Sequence, residues 1–169
     1  MRAVFFVLLL LPFIIPALAD DALAAAGDIT AVKTQAEGNN LEHDTERGRY
    51  SSLVQVDSDT YALAYKGGAG GGAFITTFTI SADGSTITKV NSLEHDTTEV
   101  THNSLVQVDS DTYALAYTQN SSADGYISTF TIDSDGNITA VKTQSEGNNL
   151  EYDTVTGTDN SLVQVDSDT

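Results

Sequence analysis

From residue 28 onward, short runs of β-branched and aromatic residues alternate with gaps of Asp, Ser, Asn and Gly. This is the pattern of strands joined by tight turns. Residues 53–56 (Leu-Val-Gln-Val) predict a first strand and residues 57–59 (Asp-Ser-Asp) a turn, because Asp and Ser side chains accept bonds from nearby backbone amides. Residues 60–65 predict a second strand, 74–80 a third, 82–84 (Ala-Asp-Gly) a hairpin turn, and 86–90 a fourth strand. Within the second strand, Tyr61, Leu63 and Tyr65 fall on one side and Ala62 and Ala64 on the other, since strand side chains alternate. Each sheet is therefore expected to carry a bulky face and a small one. No stretch after the first 19 residues shows the 3.6-residue period of a helix.

The same runs then return. The string Ser-Leu-Val-Gln-Val-Asp-Ser-Asp-Thr-Tyr-Ala-Leu-Ala-Tyr occupies residues 52–65 and again 104–117, and its first nine letters close the sequence at 161–169. Residues 27–45 return at 136–154 with three changes, and a shortened version fills 84–97. Ser52, Ser104 and Ser161 thus set intervals of 52 and 57 residues, the second lengthened by residues 142–149. Four antiparallel strands in about 50 residues match one blade of a β-propeller. The bulky face of one repeat is expected to fill the space above the small face of the next. Propellers hold about four to eight blades. The chain accordingly reads as an all-β, N-terminal part of a longer propeller: segment 20–51 with an outer strand at 29–35 and an inter-blade loop, repeats 52–103 and 104–160, and the start of a third at 161–169 with an inner strand at 162–165.

The first 19 residues differ from everything that follows. Arg2 precedes an apolar run, Pro16 breaks it, and Ala17-Leu18-Ala19 supplies small residues for cleavage before Asp20. This is the layout of a secretory signal peptide, and the run is shorter than the roughly 20 residues of a membrane span. The expected location is extracellular or cell-surface. The chain has no Cys, so an exported form draws its stability from its core or from assembly. The 24 acidic residues against 7 basic ones give a net charge of −17, which argues against nucleic acid and anionic membranes as partners.

Candidate chemistry is sparse. Glu42-His43-Asp44 and Glu94-His95-Asp96 have acid/base residue types, but they recur at one repeat position and become Glu151-Tyr152-Asp153 in the third copy. Neighbouring strand residues also point apart, so the triplets read as connections between blades. The Asp57-Ser58-Asp59 turns, their copies and Asp133-Ser134-Asp135-Gly136-Asn137 space oxygen ligands as calcium loops do, without a distal bidentate Glu. They read first as turns, and calcium is the one cofactor they admit. The Gly-rich segment 66–72 leads into a strand, whereas a phosphate cradle needs a helix behind it. His102 reads as a solvated loop residue. No catalytic, cofactor-binding or metal residue is assigned.

Residues 124–139, Asp-Gly-Tyr-Ile-Ser-Thr-Phe-Thr-Ile-Asp-Ser-Asp-Gly-Asn-Ile-Thr, resemble the third and fourth strands of lactonase-like, or YVTN-type, β-propeller blades. The near-identical repeats behind a leader also resemble surface repeat proteins of archaea and bacteria. The resemblance implies blade architecture; that family holds a lactone-hydrolase branch beside many surface proteins. The expected function is a structural or binding module for protein or carbohydrate, without catalysis. The alternatives are a lactonase-like hydrolase with its site in further blades, and a calcium-dependent adhesion repeat. Self-association is expected if no further repeats cover the open faces.

Overall fold

The computed structural model describes residues 41–68, 71–142 and 149–166. The expected signal peptide at 1–19 and the strand at 29–35 lie outside them. The described chain is all-β. Strands β1 (Arg49–Gln55), β2 (Thr60–Lys66), β3 (Ala73–Ile80) and β4 (Ile87–Asp96) form one antiparallel sheet in chain order. Strands β5 (Val100–Gln107), β6 (Thr112–Gln119), β7 (Gly125–Ile132) and β8 (Ile138–Lys142) form a second sheet in the same order. A short β9 (Leu150–Asp153) also pairs with β7. Together β8 and β9 take the place of the single strand β4: Ile75 stands opposite Leu93 in the first sheet, and Ile127 opposite Leu150 in the second. The longer second interval thus divides an edge strand and leaves the pairing scheme intact.

The turns form as the sequence predicts, for a local reason. Asp57 Oδ1 accepts from the amides of Asp59 (3.1 Å) and Thr60 (2.9 Å). Asp133 Oδ1 accepts from Asp135 (3.0 Å) and Asn137 (2.8 Å). Gly84 and Gly136 take φ of 69° and 80° at matching hairpin positions, where a side chain would be strained. Serving these amides holds Asp57 below the usual carboxylate range. Asp133 is also held down, first by the Asn137 side chain.

The core lies between the two sheets. The first sheet contributes its small face, Ala62, Ala64, Ala73 and Ile75, all fully buried. The second contributes its bulky face, Tyr113, Leu115, Tyr117 and Phe130, also fully buried. Alternation along β2 and β6 thus becomes a knob-and-recess contact, and burying each large side chain stabilises the pair by about 1.5–3 kcal/mol. Across this contact the Thr77 hydroxyl donates to the Gly136 carbonyl (2.6 Å).

Three expectations need correction. The fourth strand does not end at residue 90: β4 runs on through the Glu94-His95-Asp96 triplet, so the triplet is strand and not an inter-blade connection. Leu93 and His95 point to the core face, and the core supplies the drive that the polar residue types concealed. His102 is not a loop residue; it lies in β5 with φ of 55°. Residues 162–165, expected as a strand, join no ladder among the described residues, because no second strand stands beside them. They lie instead against the second sheet: the Leu162 amide donates to Ser104 Oγ (2.8 Å) and Gln164 Nε2 to the Val108 carbonyl (2.9 Å).

Candidate interaction surface

The triplets resolve into three separate tasks. Their Asp residues order the turn that follows: Asp44 Oδ1 accepts from Glu46 (2.8 Å) and Arg47 (2.7 Å), Asp96 Oδ1 from Thr98 (2.8 Å), and Asp153 Oδ1 from Val155 (2.7 Å) and Thr156 (2.9 Å). The Thr156 amide first, then that of Val155, lowers the pKa of Asp153. Their Glu residues are exposed. The central His of the first two packs against the aromatic rings of the sheet that follows it, whereas Tyr152 of the third is 42% exposed. His43 sits edge-on to Tyr65 (4.8 Å between ring centres), and His95 edge-on to Tyr117 (5.0 Å) and Phe130 (6.0 Å). His95 is fully buried, and neither ring nitrogen has a hydrogen-bond partner. Burial pushes its pKa down to about 3, so the ring is neutral. A neutral plug between aromatic rings is packing, not acid/base chemistry.

A second set of residues, invisible to strand patterning, joins the sheets along their inner strands. The Leu105 amide donates to Ser52 Oγ (2.9 Å), and Asn103 Nδ2 to the Tyr50 carbonyl (2.9 Å). One repeat later, Leu162 donates to Ser104 Oγ (2.8 Å) and Asn160 Nδ2 to the His102 carbonyl (3.1 Å). Tyr50, His102 and Asp159 occupy the same repeat position and all take positive φ, at 52°, 55° and 57°. This conformation costs a non-glycine residue about 1–2 kcal/mol. In the first two copies it turns the carbonyl toward the next repeat's Asn. Because the three residue types differ, nothing in the sequence marks the position.

Two complementary faces are only partly covered among the described residues. On the first sheet, the bulky face carries Leu53 at 61% exposure, whereas its copy Leu105 is 7% exposed at the junction. Leu63, Phe78, Ile80 and Ile87 line a groove there with Leu41 and His43. On the second sheet the small face is partly covered: Leu150 is 63% exposed, whereas Ala116 is 3% exposed, and Ala114, Ala116 and Ile127 floor two shallow grooves beside Leu162. Elsewhere, Asp44, Glu46 and Glu94 surround a recess of about 330 Å³ beside Gly68 and Gly72. Among the described residues no three His, Asp or Glu side chains converge where they could hold a metal ion. Lys66 Nζ pairs with Glu99 Oε2 (2.9 Å) near this end of the sheet.

The fold and these surfaces define a class: an all-β repeat protein of stacked antiparallel sheets. Compared with family models, curated proteins and solved structures, the chain shows no match to any of them. Among the described residues, no helix is long and apolar enough to cross a membrane.

Proposed function

We propose that the chain is an exported, cell-surface module of propeller-type blades that serves a structural or binding role. One observation carries the reading: the same Ser, Asn and backbone contacts recur at two successive junctions, so each repeat presents its successor with the surface that it met itself. Across the junction the inner strand β1 lies beside β5 and the outer strand β4 beside β8, the order expected of successive blades. The leader-like residues 1–19 support export. The polar triplets are occupied with turns and packing, which leaves recognition to the loops and open faces. Protein or carbohydrate ligands suit such a surface better than polyanions, given the charge of −17.

Duplicating residues 104–160 within the chain tests this reading. A stacked array is held by contacts between neighbours, so an added repeat that covers an open face raises the urea midpoint of a single cooperative transition. A second, independent transition from the added unit would defeat the blade reading. For export, the full chain expressed in a bacterial host is expected outside the cytoplasm with residues 1–19 removed. A full-length product retained in the cytoplasm would remove that part.

A further inference from the structure

The two repeats share their inner strands almost letter for letter and part company in the loop that follows. In the first sheet residues 66–72, Lys-Gly-Gly-Ala-Gly-Gly-Gly, lead from β2 to β3; in the second, residues 118–124, Thr-Gln-Asn-Ser-Ser-Ala-Asp, lead from β6 to β7. The base of the loop is the same in both. The Gly67 amide donates to the Gly72 carbonyl (2.8 Å), and the Gln119 amide to the Asp124 carbonyl (3.0 Å). The repeats therefore differ in what the loop presents, and loops on a rigid scaffold are where function concentrates. The second loop presents Asn120-Ser121-Ser122, the Asn-x-Ser sequence that accepts an N-linked glycan.

The chain holds a second such triplet, Asn137-Ile138-Thr139, and the structure separates the two. Asn120, Ser121 and Ser122 are all exposed and lie beyond the last pair of the β6–β7 ladder, Thr118 opposite Gly125. Ala123 closes the turn with φ of 64°, and its amide donates to the Gln119 carbonyl (2.8 Å). Asn120 Nδ2 donates to Glu99 Oε2 (3.0 Å). An amide nitrogen carries two hydrogens, so one remains for substitution while the bond to Glu99 holds. Asn137 is placed differently. Its Nδ2 faces both carboxylate oxygens of Asp133 (3.2 and 2.9 Å), and its backbone amide donates to the same group (2.8 Å). Its Thr139 stands in β8 opposite Thr131. This triplet is built into a hairpin, and an enzyme reaches it only by opening the turn and the ladder.

We propose that Asn120, in the folded and exported chain, accepts an N-linked oligosaccharide and that Asn137 does not. In the transfer, Nδ2 of Asn120 forms a bond to the anomeric carbon of a lipid-linked oligosaccharyl phosphate. The bond from that carbon to the phosphate oxygen breaks, the lipid phosphate leaves with the electron pair, and one Nδ2 proton passes to a base of the transferase. The proposal rests on the export reading above but fails separately from it. The test takes the full chain from the cells that naturally make it, cleaves it at aspartate and weighs the fragments by mass spectrometry. Asp124 and Asp133 part the two asparagines. The fragment with Asn120 is expected to carry the mass of whole sugar residues, and the fragment with Asn137 none. In the same cells Asn120→Gln and Ser122→Ala each abolish the added mass and keep the parent's circular dichroism. Ser122→Thr, which keeps the hydroxyl, retains the sugar. A bare Asn120 overturns the proposal, as does sugar on Asn137 or sugar that persists in Asn120→Gln. The state of residues 1–19 in the same sample tells the two readings apart. An exported, cleaved chain with a bare Asn120 defeats this proposal alone, whereas an uncleaved chain in the cytoplasm defeats export as well.

Discussion

Alanine in place of Leu115 is expected to lower the unfolding free energy by about 2–5 kcal/mol, whereas alanine in place of Leu63 costs about 1 kcal/mol or less. The two leucines lie in identical strings and face the same side of their sheets. Their difference lies in what covers them. Leu115 is fully buried under the small face of the first sheet, so truncation leaves a cavity between two sheets that cannot close without parting. Leu63 lines an open groove, and water or neighbouring side chains fill the space. Leu105 and Leu53, at 7% and 61% exposure, should repeat the contrast. The comparison holds local sequence fixed, so propensity and turn effects cancel and the difference reports the junction alone. Urea unfolding of the four variants measures it. Equal losses at both members of each pair would mean that the sheets do not stack as described. A domain of this size holds only about 5–15 kcal/mol of stability, so the Leu115 variant will sit close to its unfolding threshold.

Acidification is expected to weaken the same junction well before carboxylates titrate. His95 is fully buried with both ring nitrogens unpartnered. Tyr117 and Phe130 face it from the second sheet, and Asp96 follows it on β4. In the folded chain its pKa falls to about 3; in the unfolded chain it returns to the ordinary imidazole value of 6.5. Between those values the unfolded state binds a proton that the folded state refuses. Stability from this group is therefore complete above about pH 6.5 and declines as pH falls, by about 1.4 kcal/mol for each unit well inside that window. The loss by pH 4.5 is roughly 2–3 kcal/mol. The carboxylates held down at turns, Asp57 and Asp153 by backbone amides and Asp133 first by the Asn137 side chain, act in the same direction but only below their ordinary value of 3.8. A urea midpoint that falls between pH 6.5 and 4.5 thus reports His95, and the variant His95→Leu should flatten that window. A wild-type midpoint unchanged over the window would show that the imidazole has access to water or to a partner.

Much of the fold can be read from the strand alternation. The Tyr-Ala-Leu-Ala-Tyr strings state which side is bulky and which is small, and the two faces meet as that difference requires. The Asp-Ser-Asp and Asp-Gly turns are equally plain because their chemistry is local. The second half of β4 is harder to see. Asn91, Ser92, Glu94 and Asp96 are poor strand formers one by one, and only the alternation of Leu93 and His95 betrays the buried side. The junction's polar bonds are harder still. Ser52 and Ser104 are surface-like residues by type, and the left-handed position changes from Tyr50 to His102 to Asp159. Their role depends on a carbonyl direction, which residue type does not encode. How many sheets follow one another is a global property that no single repeat contains.

The repeated junction also bears on how such a gene can change. Each repeat carries, within its own boundaries, the Ser, the left-handed residue and the aromatic plug that its neighbours need. Unequal recombination between the near-identical copies would therefore insert or delete whole sheets in frame, and every new neighbour would meet a surface that it already fits. Array length can drift between strains without any new core being invented. Substitutions at the junction, by contrast, must spread through all copies before they cease to be mismatches.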